Sequence, residues 1–271
     1  MRGTSSTSFG EVLRQAETAF AAETGSLMTV AEELFSVADT IDSSNQLVRL
    51  LSDAGRPAEV KESAVRTLLG GRVAAPALET TVDVVRHHWS EQEDILDALE
   101  LLGVTALLDQ AQREGDLELV ENQLIQVSRL IDGSPELSGG LDGARERPEQ
   151  RGTVVTRLLE GRSDRLTIAL AARAVARRTR TKPARRVAEF ARFASERRRR
   201  SFATVASAVP LDEAQQARLG ALLTSIYGRE IHINLQVDPD VVGGLRIQVG
   251  DDLYDATVLA RLSRARAQLV A

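Results

Sequence analysis

The sequence predicts a mainly α-helical protein in which two tandem helical bundles are followed by a small α+β domain. Apolar residues recur at helical spacing through roughly the first 200 residues, and they alternate with polar residues between Ile231 and Val249. Hydrophobic residues make up 43% of the 271-residue chain and aromatic residues only 3%, so the cores must consist mainly of Leu, Val, Ala and Ile. This composition favours packed helices.

An internal repeat divides the helical part of the chain. A shift of 90 positions superposes Gly25 on Gly115, Ile41-Asp42 on Ile131-Asp132, Ser44 on Ser134, Leu68-Leu69 on Leu158-Leu159, and Gly71-Arg72 on Gly161-Arg162. Matched glycine, serine and aspartate residues belong to turns and helix caps, and helical periodicity alone does not reproduce them. We therefore predict a duplicated helical module, with residues 1–103 as an extra copy and residues 104–200 as the second copy.

Each copy is predicted to contain several short helices, which bury their apolar stripes by packing on each other. In the first copy the helices span Phe9–Glu23, Met28–Ile41, Pro57–Leu69, Ala75–His87 and Glu91–Leu101. In the second copy the elements are Val104–Arg113, Leu117–Ile131, a piece that starts at Pro148, Thr153–Leu159, Leu166–Arg178 and a helix from Pro183 to Arg200. Proline near helix starts and glycine after helix ends support these bounds.

Residues 201–271 are predicted to form a domain with the order strand, helix, strand, strand, helix. The first strand is Ser201–Val209, and Asp212 caps the helix that follows. The core face of that helix is predicted to consist of Leu219, Leu222, Leu223 and Ile226. Residues 231–237 and 245–249 alternate as strands with one buried face, and the turn at residues 238–240 predicts a hairpin between them. Asp255 would cap a final helix.

The C-terminal part also carries a pattern of specific residue types. It comprises Val237, Asp238, Val242, Gly243, Gly244, Leu245, Ile247, Gly250, Asp251, Asp255 and Leu262. This pattern resembles the C-terminal signature of the F-type ATP synthase delta subunit family, which includes the mitochondrial oligomycin-sensitivity-conferring protein. The family usually has Gly-Ser after the last aspartate, where this chain has Ala256-Thr257. Residues 107–137 likewise resemble the opening of the helical bundle in that family.

The resemblance implies a non-catalytic stator subunit of a proton-translocating ATP synthase, which couples rotation to ATP synthesis. In the family the helical domain binds the N-terminal segments of the F1 alpha subunits, and the C-terminal domain binds the b-type stalk subunits. A groove between the first and fifth helices of the second copy is expected to hold the alpha helix. The residues expected to line it are Leu107, Leu108, Ala111, Ile168, Ala172 and Val175, which can equally be plain core. The first copy is expected to brace the stalk or another surface.

The same resemblance implies one copy per synthase complex, held peripherally at the cytoplasmic face of the bacterial plasma membrane. No apolar run approaches the ~20 residues that a membrane span needs, so direct insertion is not expected. The N-terminus lacks the apolar core of a signal peptide.

Two charged stretches leave alternatives open. Residues 173–200 are rich in arginine, whereas residues 91–121 contain ten acidic residues and one base, Arg113. The arginines can belong to a helical-repeat adaptor that binds nucleic acid, which is the alternative function. The net charge of −5 and the few aromatic residues favour a solvated face or a protein contact instead. The acidic stretch can dock against the basic helices or keep the chain soluble.

The sequence predicts no enzyme, metal site or cofactor. It contains no cysteine, and the adjacent His87 and His88 point in different directions on a helix. The glycine pairs are not followed by Lys-Ser/Thr, so a phosphate-binding loop is excluded. Nothing assembles a nucleophile, a base and an oxyanion site. A helical scaffold unrelated to ATP synthase remains a third interpretation.

Overall fold

The computed structural model describes residues 3–144, 147–177, 181–200, 202–227, 231–238, 241, 243–250 and 252–257. The chain divides into two compact units, Met1–Ala191 and Arg192–Ala271. The first is helical and the second contains a small sheet, which confirms the predicted mainly α fold with a C-terminal α+β domain. None of the described helices is both long and apolar enough to cross a membrane.

The helices repeat at the interval that the sequence indicated. They are α1 (Thr4–Ala22), α2 (Leu27–Asp42), α3 (Asn45–Ser52), α4 (Ala58–Leu69), α5 (Ala75–Arg86), α6 (Gln92–Glu114), α7 (Leu117–Asp132), α8 (Pro135–Gly143), α9 (Pro148–Leu159), α10 (Arg165–Ala176) and α11 (Pro183–Arg200). Adding 90 to both ends of α2, α4 and α5 gives the bounds of α7, α9 and α10. By the same shift α1 corresponds to α6, and α6 corresponds to α11.

Helix α6 belongs to both copies, and here the predicted elements are wrong. Glu91–Leu101 and Val104–Arg113 were predicted as separate helices, but they form one continuous helix that ends at Gly115. Gly103 lies inside this helix, at a point where the packing of α2 leaves no room for a larger side chain. A Cβ on Gly103 would lie 2.7 Å from Cδ1 of Phe35 in α2. The position between residues 103 and 104, where the copies were expected to join, therefore lies within α6.

The shared helix carries the core of the helical unit. Helix α2 packs along α6, which also contacts α1, α3 and α5 from the first copy and α7 and α10 from the second. Side chains on most faces of α6 are fully buried, among them Ile95, Leu99, Leu102 and Leu107. Each such side chain contributes about 1.5–3 kcal/mol on burial. Helices of both copies therefore pack against α6.

Two short helices, α3 and α8, were not predicted from the sequence. Each begins at a serine whose side chain accepts a hydrogen bond from a backbone N–H three residues later. The distances are 3.4 Å from Leu47 to Ser44 and 3.3 Å from Leu137 to Ser134. Ser44 and Ser134 match each other in the 90-residue repeat because they cap equivalent helices. The segments at Pro148 and Thr153–Leu159, taken as separate elements, form the single helix α9.

The second unit contains a four-stranded sheet and one described helix. Its elements are β1 (Phe202–Ser207), α12 (Glu213–Tyr227), β2 (His232–Val237), β3 (Leu245–Val249) and β4 (Asp252–Asp255). The strand order is β2-β1-β3-β4, with β1 parallel to β2 and antiparallel to β3. The hairpin predicted between residues 231–237 and 245–249 is wrong. Strand β1 lies between those strands because its side chains Ala203 and Val205 are fully buried at the centre.

Helix α12 covers one face of this sheet. A reciprocal capping box starts it: the N–H of Gln215 donates to Asp212 Oδ1 at 2.7 Å, and the N–H of Asp212 donates to Gln215 Oε1 at 3.0 Å. Leu223 is buried, and Leu219 packs against the same core. Leu222 and Ile226 were expected on the core face, but they are 57% and 61% exposed.

The last described residues form one more strand pair. Leu253 and Tyr254 lie in β4, which pairs with β3 as a tight hairpin. The final helix was predicted over residues that lie outside the described part of the chain.

Candidate partner-binding surfaces

The six residues expected to line the alpha groove lie on α6 and α10, which pack against each other. Four of them are buried: Leu107, Leu108, Ala111 and Val175. The other two, Ile168 and Ala172, are partly exposed. The structure thus brings the two helices together as expected, but most of the named side chains lie in the core and only some reach a surface.

A groove of about 650 Å³ lies at this place, and its second wall comes from the first copy. Leu107 from α6 and Ala172 from α10 line it, together with Gly152 from α9. The opposite side is formed by Ser36 and Thr40 of α2, with Phe35 and Asp39 nearby in the lining. Sequence reasoning missed the α2 wall because nothing in the polar residues of α2 indicates which distant helix they face.

Arg173 of α10 binds residues of α2 and α6 and so connects the two walls of the groove. Its guanidinium donates to Glu100 Oε2 on α6 at 2.8 Å through Nε, and to both carboxylate oxygens of Asp39 on α2 at 2.7 and 2.9 Å. The same guanidinium lies 4.7 Å from the centre of the Phe35 ring, within cation–π range. One side chain thus links α2 of the first copy, the shared helix α6 and α10 of the second copy.

The environment of Arg173 favours its charged form. Burial alone disfavours a charged guanidinium, but the carboxylates of Glu100 and Asp39 outweigh that effect and raise the pKa of Arg173 above its ordinary value. The Glu100 side chain is fully buried, so its charge depends on these partners for compensation.

More arginines of the basic stretch dock on the acidic stretch. Arg177 lies 2.6 Å from Asp97, and Arg186 of α11 lies 3.9 Å from Glu100. Arg165, which precedes the basic stretch, pairs with Glu114 of the acidic stretch at the other end of α10. Of the alternatives that the sequence left open, docking of the acidic stretch against the basic helices is therefore the one observed among the described residues.

In the second unit, the signature glycines shape the connection into β3. Gly243 and Gly244 have φ of 131° and 84°, values that favour glycine. A Cβ on Gly244 would lie 3.0 Å from Cα of Thr257 and closer still to the carbonyl oxygen of Ala256. The backbone after β4 therefore passes directly over Gly244. Asp238 donates its N–H to the carbonyl of Ser207 at 2.9 Å, which fixes the other end of the connection.

The remaining signature residues are mainly structural. Leu245 and Ile247 pack against the core, as the alternation predicted, whereas Val237 is 52% exposed at the end of β2. Gly250 has φ of 58° in the tight turn between β3 and β4. Asp255 accepts hydrogen bonds from the hydroxyl of Thr257 at 2.6 Å and from its N–H at 3.0 Å. Val242, Asp251 and Leu262 lie outside the described residues.

These hydrogen bonds change the acidity of Asp255. The hydroxyl of Thr257 contributes most, followed by its N–H, and together they hold the pKa of Asp255 below its ordinary value. The hydroxyl and the N–H of Thr257 thus close an Asp-centred turn at residues 255–257.

Apolar side chains remain exposed on the second unit. Leu222 and Ile226 stand one turn apart on α12, while Leu253 and Tyr254 are exposed on β4. Surface apolar residues that form a row on one helix are typical of a contact with another helix. The α12 row is therefore a candidate surface for a helical partner.

Within the described residues, no group of three or more histidine or acidic side chains is arranged to hold a metal ion. His87 instead makes local contacts: its Nε2 lies 3.3 Å from Glu11, and its Nδ1 lies 2.8 Å from the carbonyl oxygen of Asp83.

Comparison with known proteins gives a consistent result. Residues 104–269 match the family model described as ATP synthase delta (OSCP) subunit. The chain is 38% identical to ATP synthase subunit delta of Beutenbergia cavernae over 269 residues, which is 99% of each chain. It is 39% identical to ATP synthase subunit delta of Kineococcus radiotolerans, over 96% of this chain and 92% of the relative. It is 36% identical to that of Thermobifida fusca over 99% of both chains, so these alignments also include the first copy.

Proposed function

Because the chain belongs to the ATP synthase delta (OSCP) subunit family, whose members are non-catalytic stator subunits, we propose that it joins the F1 head to the b-type stalk. The subunit associates with the ATP synthase complex as part of its peripheral stalk. In this role it stops the head from turning with the rotor, so that proton-driven rotation does work on the catalytic sites. We further propose one copy per complex, at the cytoplasmic face of the membrane.

The groove between α6 and α10 is the proposed binding site for the alpha subunit. A helix-in-groove contact needs apolar or small residues at the floor, and Leu107 and Ala172 provide them. The repeat favours the second copy for this contact. The positions 90 residues before Leu107 and Leu108 are occupied by Glu17 and Thr18, which are polar and at least partly exposed. The parts of the first copy that do not line this groove are then proposed to brace the stalk or another surface of the complex.

The second unit is proposed to hold the b-type stalk subunits. The exposed pair Leu222 and Ile226 offers an apolar row for a stalk helix. One signature glycine shapes the same unit: Gly244 lets the backbone of residues 256–257 pass close to the start of β3.

The ion pairs of the arginines argue against the nucleic-acid alternative. Phosphate binding needs arginines that are free to exchange counterions for phosphates. Arg173, Arg177 and Arg186 are engaged with carboxylates of α2 and α6.

Reconstitution tests the proposed function. Membrane vesicles from a strain that lacks the chain should hydrolyse ATP without pumping protons, and adding the purified full-length chain should restore pumping. Vesicles that pump protons equally well without the chain would contradict the proposal. The variant Leu222→Asp combined with Ile226→Asp should fail to restore pumping, whereas Val60→Asp, at an exposed valine of the helical unit, should restore it.

A further inference from the structure

We propose that the site for the alpha N-terminal helix is composite, with α2 of the extra first copy forming one of its two walls. This inference rests on the proposed function and deepens it: the additional copy would be part of the alpha receptor. The occupant to which we commit is an amphipathic helix with a small, apolar contact face and a basic residue at one end of that face.

The α2 wall presents a row of hydroxyl residues at helical spacing. Ser36, Thr40 and Ser43 all line the groove and are exposed. The hydroxyl of Thr40 donates to the carbonyl of Ser36 at 2.7 Å, and the hydroxyl of Ser43 donates to the carbonyl of Thr40 at 2.7 Å. Because the hydroxyl donors of Thr40 and Ser43 are already satisfied within α2, covering these two residues with an apolar partner leaves neither donor unpaired.

The opposite wall is built from small residues. Ala169, Ala172 and Ala176 of α10 lie on one side of that helix, and Gly152 of α9 lies beside them. Small side chains allow the backbone of another helix to approach closely. From Glu32 to Ser43 the α2 wall is about 16 Å long at 1.5 Å per residue, enough for roughly three turns of an occupant helix.

The two walls are held at a fixed separation. The pair of hydrogen bonds from Arg173 to Asp39 joins α10 directly to α2. Because Arg173 is also bound to Glu100, its charge is compensated before any partner arrives. Glu32, also exposed in the lining, forms no ion pair with any residue that the structure describes, so its negative charge remains at one end of the groove. This charge selects an occupant with a basic residue at that end.

A binding experiment with the full-length chain tests the composite wall. The ligand is a labelled synthetic peptide with the N-terminal sequence of the alpha subunit from the same organism, and binding is followed by fluorescence anisotropy. Ala172→Trp fills the α10 wall and Thr40→Trp fills the α2 wall. Thr18→Trp is the matched control, because Thr18 is an exposed threonine in α1 whose hydroxyl donates to a carbonyl four residues earlier, as in Thr40.

The expected result is that both groove variants weaken binding by about tenfold or more, while Thr18→Trp stays within about twofold of the unaltered chain. Glu32→Gln should weaken binding and flatten its salt dependence. If Ala172→Trp weakens binding and Thr40→Trp does not, the composite wall is rejected and the proposed function stands. If the unaltered chain does not bind the peptide, both are rejected. Circular dichroism spectra of all variants establish that each is folded.

Discussion

Arg173→Met should destabilise the helical unit strongly, because it removes the side chain that links the two copies through α6. The Arg173 side chain is 12% exposed, and its partner Glu100 is fully buried. Methionine retains the apolar contact with the ring of Phe35 but leaves the carboxylate of Glu100 without its closest cation. The nearest remaining guanidinium groups, of Arg177 and Arg186, lie 4.0 and 3.9 Å away.

The expected loss of unfolding free energy follows from that geometry. Breaking a buried ion pair by removing one partner costs about 3–5 kcal/mol, because an uncompensated charge stays buried. The two more distant arginines screen part of that charge, so we expect the lower end, about 3 kcal/mol. The matched control is Arg165→Met on the same helix. Arg165 is 51% exposed and pairs with Glu114, so its loss should cost only about 0–1 kcal/mol.

Urea unfolding followed by tryptophan fluorescence measures both variants. Trp89 is the only tryptophan of the chain and is buried in the helical unit, where its indole N–H donates to the carbonyl of Val84 at 2.9 Å. Its emission therefore reports the unit that contains Arg173. If Arg173→Met costs no more than Arg165→Met, the buried ion-pair network does not hold the two copies together, and the argument from burial is refuted.

Two further predictions concern single residues. Gly103→Ala should destabilise the helical unit by about 1–3 kcal/mol in urea unfolding, because the new methyl group collides with the ring of Phe35. The control is Gly140→Ala, at an exposed helical glycine with open space around it, which should instead stabilise the unit by about 0.5–1 kcal/mol. Equal effects of the two substitutions would argue against the close packing of α2 on α6. Thr257→Val should move the lowered pKa of Asp255 back towards its ordinary value in an NMR titration. A lowered carboxyl pKa stabilises the fold above the unfolded-state pKa, and this stability is lost as pH falls through the folded-state pKa. The variant should therefore lose less stability on acidification than the unaltered chain.

The helical repeat could be predicted from the sequence because its signals are local. Matched serines such as Ser44 and Ser134 cap equivalent helices, and Gly115 ends α6 as expected. The alternation in β2 and β3 likewise predicted that Ile233, Leu235, Leu245 and Ile247 face the core, although Val237 at the end of β2 is exposed.

Features that depend on distant contacts could not be predicted. Gly103 looks like a helix break in the sequence, and only the ring of Phe35, far away along the chain, explains why glycine stands inside a helix. The order of strands in the sheet depends on pairing between residues that are distant in the chain, and β1 lies between β2 and β3 although β2 and β3 are consecutive. For the same reason the α2 wall of the groove has no local signal, since it exists only because the two copies share α6.

Affinity purification of the tagged full-length chain from detergent-solubilised membranes tests the central claim most directly. The account predicts that the chain is recovered with the F1 alpha subunits, the b-type stalk subunits and ATPase activity. Recovery of an intact, coupled ATP synthase that lacks the chain would contradict it.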